Sequence, residues 1–167
     1  MPRLLLVILL VSIPLPLAGQ AADSLGARIR VATVTAGSGN SLAWFGVQGE
    51  RYWHDRYSGF IGLGYTPSLD DYPSGPTFAA GVRGYAGGYR HRGFLELSVS
   101  QLVLFRDLGD GARRLYGPGL QAGYQLATRG GFTAMVSAGL GYAPTVPEGE
   151  DEFGWMGGLS LGYTWRR

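Results

Sequence analysis

The sequence predicts an all-β fold, an eight-stranded antiparallel barrel with up-and-down connections. Three observations predict it. Large apolar residues alternate with small or hydroxyl residues in eight separate segments. The connections between them alternate between tight and long. Glycine supplies 29 of 167 residues, which interrupts nearly every helical pattern because glycine costs ~1 kcal/mol in a helix interior.

The first segment reads as a leader rather than as structure. Arg3 supplies a positive start, Leu4 to Leu17 is an apolar run broken late by Pro14 and Pro16, and small residues follow at Ala18, Gly19, Ala21 and Ala22. This is the three-part pattern of a secretory signal peptide, with cleavage expected after Ala21 or Ala22. A helix over that run is ~21 Å long, short of the ~30 Å hydrocarbon core of a bilayer. The expected division is a signal peptide over residues 1–22 and one barrel domain over residues 23–167.

The strands follow in chain order. Side chains alternate across a strand, so each segment separates two faces. Ile29, Val31 and Thr33 alternate with Arg28, Arg30 and Ala32. Phe45 and Val47 alternate with Trp44, Gly46, Gln48 and Glu50; Tyr57, Ile61, Leu63 and Tyr65 with Ser58, Phe60, Gly62 and Gly64. Phe78, Ala80 and Val82 oppose Ala79, Gly81, Arg83 and Tyr85. Leu95, Leu97, Val99, Val103 and Phe105 oppose Glu96, Ser98 and Ser100, with Leu102 and Leu104 less polar. Leu120, Ala122, Tyr124 and Leu126 oppose Gly119, Gln121, Gly123 and Gln125. The last two segments are the most regular. Phe132, Ala134, Val136, Ala138, Leu140 and Tyr142 oppose Thr133, Met135, Ser137, Gly139 and Gly141; Phe153, Trp155, Leu159, Leu161, Tyr163 and Trp165 oppose Gly154, Met156, Gly158, Ser160, Gly162 and Thr164.

Punctuation by Gly, Pro, Asn and Asp sets the connections. His54 to Arg56, Gly87 to Arg92 and Thr128 to Gly131 read as tight turns. Pro67 to Pro76, Arg106 to Arg114 and Pro144 to Glu152 are longer, and Ala36 to Ser41 is intermediate. Short turns at one end and longer loops at the other describe an up-and-down barrel.

Composition decides which face points out. A water-facing strand surface is rich in charge, yet only 16% of this chain is charged, against roughly 25% for an average soluble domain. The small parity is mostly Gly, Ser, Thr, Gln and Ala, which suits the crowded inside of a narrow barrel. The large parity then faces lipid, with Arg51 near a turn as its main exception and Gln101 unexplained. Aromatics near strand ends agree: Trp53, Tyr57, Tyr65, Phe78, Phe105, Phe132, Tyr142, Phe153, Tyr163 and Trp165 are placed for two interfacial girdles. The opposite solution is a soluble barrel that carries a ligand inside.

The end of the chain, Leu159-Ser-Leu161-Gly-Tyr163-Thr-Trp165, resembles the terminal-strand signal of bacterial outer-membrane proteins, extended here by Arg166 and Arg167. Taken whole, the mature chain resembles a small eight-stranded outer-membrane β-barrel of the OmpA/OmpX type. That resemblance implies a transmembrane barrel in the outer membrane, periplasmic termini, outward-facing long loops, and partners in the outer-membrane lipids and the barrel-assembly machinery that reads the last strand. It implies a monomer.

Several functions are excluded or weakened by residue type. With no cysteine there is no disulfide, thiolate metal site or catalytic thiol. All 14 basic residues are arginine, so Gly37-Ser-Gly39 lacks the lysine of a phosphate loop, and the arginines are too scattered for a nucleic-acid surface. On the assigned parity Arg28, Arg30, Glu50, Arg83 and Glu96 point into the bore, where Gln48, Gln121, Gln125, Tyr52 and Tyr85 join them. Buried charges need partners, so an Arg–Glu network that plugs the interior is expected. A narrow channel is the alternative. A second is a lipid A-modifying acyl hydrolase or transferase, for which His54, Asp55 and Ser58 would be a triad fragment and His91 the other candidate base. Acidic loop residues (Asp70, Asp71, Asp107, Asp110, Glu148, Glu150, Asp151 and Glu152) make a rim without the spacing of a Ca²⁺ or Mg²⁺ loop. No cofactor, metal site or catalytic residue is expected, and the role is read as structural or surface-interacting.

Overall fold

The computed structural model describes residues 32–39, 45–67, 74–102, 115–144 and 152–165. The leader, Arg28, Arg30, Phe105 and all of the acidic rim except Glu152 lie outside these residues. The strands are β1 (Ala32–Gly39), β2 (Phe45–His54), β3 (Tyr57–Thr66), β4 (Gly75–Gly87), β5 (His91–Leu102), β6 (Leu115–Ala127), β7 (Phe132–Tyr142) and β8 (Phe153–Trp165). Each pairs antiparallel with its sequence neighbours, and β1 also pairs with β8, so the sheet closes on itself and leaves no open edge.

The tight connections all lie at one end of the barrel. Asp55 and Arg56 alone join β2 to β3. At the next turn His91 N–H donates to the Gly88 carbonyl at 3.2 Å, and Gly87 adopts φ of 106°, a left-handed conformation that glycine alone enters without strain. The β6–β7 turn repeats the device: Gly131 has φ of 93°, and its N–H donates to the Thr128 carbonyl at 3.2 Å.

Register fixes which parity faces the bore. In β3 buried Ser58, Phe60 and Gly62 alternate with Ile61, Leu63 and Tyr65, which are exposed. Ile61 on β3 is 72% exposed and Trp155 on β8 is 76% exposed, whereas Glu96, Gln121 and Gln125 are 0% exposed. The large apolar residues point out and the polar residues point in.

Four local expectations are corrected. In β1 the register aligns Thr33 with Glu50 and Thr164, the inward parity, and Ala32 with Arg51 and Trp165, the outward one. Thr33, read with the outward parity, therefore stands at an inward register position, and Ile29 and Val31 lie outside the described residues. β1 also runs on through Ala36 to Gly39, where a connection was expected. Pro76 belongs to β4, opposite Tyr65; as the second residue of its strand it removes a donor where a strand tolerates the loss. Gln101 is buried next to buried Ser100, so strict alternation ends there.

Candidate functional site

The bore carries two arginines and two glutamates among the described residues, Arg83, Arg92, Glu50 and Glu96, all buried, and their charges cancel. Arg83 on β4 occupies the middle. Its Nε donates to Glu96 Oε2 at 2.7 Å, its Nη1 to Glu50 Oε2 at 3.0 Å and its Nη2 to Gln48 Oε1 at 3.1 Å. Glu96 is the direct cross-strand partner of Arg83 on β5, while Glu50 reaches it from β2 across the intervening β3. Charge-assisted bonds of this kind are about twice as strong as neutral ones.

Both carboxylates are saturated by further donors. Glu50 also accepts from Ser58 Oγ and from the Tyr85 hydroxyl. Glu96 accepts from Gln121 Nε2 at 3.1 Å, and Gln121 Oε1 in turn accepts from Ser137 Oγ at 2.9 Å. The guanidinium of Arg83 lies between two rings, 4.4 Å from the centroid of Phe60 and 5.1 Å from that of Phe94.

A second cluster lies toward the tight-turn end. Arg92 donates through Nε to Gln125 Oε1 at 2.9 Å and through Nη2 to the Tyr52 hydroxyl. Its guanidinium lies 3.9 Å from the Tyr85 ring centroid and 4.6 Å from that of Tyr52. The Tyr52 hydroxyl donates to Tyr85 Oη at 3.1 Å, and the Tyr85 hydroxyl donates in turn to Glu50. One hydrogen-bonded chain therefore runs Arg92–Tyr52–Tyr85–Glu50–Arg83–Glu96–Gln121–Ser137 and ties β2, β4, β5, β6 and β7 together.

Three of the five charged residues expected in the bore, Glu50, Arg83 and Glu96, meet there. Arg28 and Arg30 lie outside the described residues. Arg92, read from the sequence as a turn residue, lies inside instead, because β5 starts at His91 and Arg92 shares the parity of Phe94 and Glu96. Counting back in twos from Glu96 finds it. Phe60, read on the inward parity, is buried in the bore, and Phe94 joins it as a second large ring among the small and polar groups.

The triad fragment is not assembled. Ser58 is buried and donates to Glu50, whereas His54 is exposed, accepts the Arg56 backbone N–H at its Nδ1 at 3.2 Å, and faces the Tyr57 ring at 5.8 Å. His91 is exposed on the outer wall, its Nδ1 3.0 Å from the Tyr124 hydroxyl. No group of three or more His, Asp or Glu able to hold a metal occurs among the described residues.

The outer wall carries an aromatic ring at each end. Trp53, Tyr57, Tyr124, Phe132, Tyr163 and Trp165 mark the tight-turn end, and Phe45, Tyr65, Phe78, Phe153 and Trp155 the other, where Tyr142 is half-buried against Phe153 at 5.2 Å. Tyr57 and Tyr65 stand eight positions apart on β3, ~26 Å along the strand and ~20 Å along the axis at a tilt of roughly 40°. That spacing approaches the ~25 Å apolar band of outer-membrane barrels. Between the rings Arg51 is the one arginine, lysine or acid on the outward face of the described strands.

No family model matches the chain, and no curated protein matches it. Among solved structures the chain is similar to the N-terminal β-barrel domain of Pseudomonas aeruginosa OprF, with a TM-score of 0.60 and 16% sequence identity over 81% of this chain and 98% of that one. The likeness is one of fold: an all-β sheet of antiparallel strands wound up and down, the architecture of that barrel domain.

Proposed function

We propose that the chain is an integral outer-membrane β-barrel protein with a non-enzymatic role, structural or surface-interacting, whose bore is plugged by the Arg83-centred network. A signal peptide over residues 1–22 delivers it across the inner membrane, the last strand ending at Trp165 is read by the barrel-assembly machinery, and the mature protein is a monomer in outer-membrane lipid.

The observation that carries the reading is the inversion of the molecule: apolar wall outside, saturated ionic network inside. A soluble barrel of this size would expose the side that here holds Glu50, Arg83 and Glu96. Lipid offers no hydrogen bonds to backbone amides, and a closed sheet needs none. Eight strands leave an interior that side chains fill, so the network acts as a plug.

Membrane fractionation combined with gel mobility before and after heating tests the reading. The expected result is a membrane-associated protein whose folded form migrates differently from the heated form, with an N-terminus at Ala22 or Asp23, and no steady conductance in planar bilayers. A protein that folds as a monomer in detergent-free buffer would overturn it. Sustained ion conductance would replace the plug by a channel.

A further inference from the structure

We propose that the outer wall at the β2–β3 turn binds the phosphate of an anionic phospholipid headgroup, held by Arg51 and Arg56 beside the indole of Trp53. The proposal rests on the membrane reading above and adds a specific lipid site to it.

Arg51 is the anomaly that calls for a partner. It is exposed on the outward face, and no acid among the described residues pairs with it; Glu50 and Glu96 are both committed to Arg83 inside the bore. A cation is tolerated on a lipid-facing wall only near the interface. Arg51 is three positions before the end of β2 at His54, ~10 Å along the strand, so its long side chain reaches headgroup level by lying along the wall.

The surroundings of Arg51 are shaped for a headgroup. The β2–β3 register shifts at Trp53, between the pairs Tyr52–Ser58 and His54–Tyr57. Such a shift re-aims side chains, and here it leaves Trp53 and His54 both exposed. The Trp53 ring lies over Gly59: a Cβ on Gly59 would stand 2.7 Å from Trp53 Cζ3. Gly59 is the cross-strand partner of Arg51, and Ala32 is its partner on the other side. An amphipathic indole therefore flanks the arginine on its β3 side.

Charge selects the ligand. At the β2–β3 turn Arg51 and Arg56 are exposed against one acid, Asp55. A net-positive rim favours a lipid that carries a net negative charge over a zwitterionic one. Arginine suits the task because its planar fork binds two phosphate oxygens at once, and tryptophan settles at the same interfacial level.

The test folds the mature chain into phosphatidylcholine vesicles containing a minority of phosphatidylglycerol and measures the lipid retained on the extracted protein by native mass spectrometry. Phosphatidylglycerol is expected to be enriched over phosphatidylcholine, and R51Q and R56Q each to lower that enrichment roughly five-fold. R129Q removes the same charge from the β6–β7 turn, four strands away around the barrel, and is expected to leave it unchanged. Equal retention of the two lipids, or an equal loss in R129Q, overturns the site. Displacement of the lipid by inorganic phosphate reassigns the site to free phosphate and overturns the lipid assignment. Absence of a heat-modifiable band in the vesicles overturns the membrane reading itself, a result distinct from a folded protein without lipid preference.

Discussion

Arg83 rests its guanidinium 4.4 Å from the ring centroid of Phe60, and Phe60 in turn covers Gly81, its cross-strand partner. A Cβ on Gly81 would stand 2.8 Å from Phe60 Cε1. The same arrangement recurs on the other flank, where Phe94 covers its partner Gly123, whose Cβ would stand 2.7 Å from Phe94 Cε1. These inward glycines seat two phenyl rings, and the rings hold the arginine level with both glutamates. Close approach, rather than flexibility, is what these positions require.

Gly81→Ala is therefore expected to destabilise the barrel by about 1–3 kcal/mol, because the methyl group meets the Leu97 backbone carbonyl on the neighbouring strand as well as the Phe60 ring. Gly49 provides the contrast: it is exposed, and a Cβ there meets nothing within 4 Å. Gly49→Ala should change stability by no more than about 0.5 kcal/mol. Urea midpoints of the two variants refolded in the same vesicles check the difference.

Arg83→Met leaves Glu50 and Glu96 facing each other, buried and without their shared cation. Removing one partner of a buried ion pair costs roughly 3–5 kcal/mol, because the remaining charge has lost its compensation. Neutralising both acids as well, in R83M/E50Q/E96Q, should recover most of that loss. The sign of the coupling in equilibrium unfolding is the measurement, and a triple variant as unstable as the single one contradicts the account.

Much of this arrangement is legible in the sequence because a period of two assigns faces without knowledge of the fold. β3, β7 and β8 carry long alternations, broken on the large parity only by Gly59 and Gly157, so the parities of Ile61, Val136 and Leu159 follow directly. Glu50, Arg83 and Glu96 are found because each is a charge within such a run. Three kinds of feature are not legible. β1 is short and weakly patterned, and only its pairing with Glu50 and Thr164 sets the phase of Thr33. Arg92 belongs to a stretch rich in glycine and arginine that reads as a turn, and the turn turns out to be tighter than its composition implies. The phenyl seats depend on register, since nothing local links Phe60 to Gly81 or Phe94 to Gly123.

The Arg92 cluster makes a separate prediction. Among the described residues no carboxylate bonds to Arg92; its charge rests against the Tyr85 and Tyr52 rings, and Nε bonds Gln125. Lysine keeps the charge but loses the planar face and the directed Nε bond. Arg92→Lys is expected to cost about 1–2 kcal/mol, the scale of a desolvated cation–π contact, with the fold retained. Near-ultraviolet circular dichroism should report the altered tyrosine environment, and an unchanged spectrum and midpoint would show the stacking to be dispensable.

The outer wall supplies the sharpest test of solvent. Ile61 lies midway along β3, is 72% exposed, and pairs with Gly49 and Ala80, which offer an introduced charge no partner. In lipid, Ile61→Arg should cost about 2–4 kcal/mol, the price at the bilayer midplane, whereas Leu126→Arg, beside the tight-turn end opposite His91, should cost only about 0–1 kcal/mol, as at an interface. In water the order disappears: both substitutions remove exposed apolar area, and neither buries a charge. The fraction of protein reaching the heat-modifiable form across a urea series measures both variants. A clear loss at position 61 and little at 126 is expected, because only a medium whose polarity changes with depth distinguishes two arginines on the same exposed face.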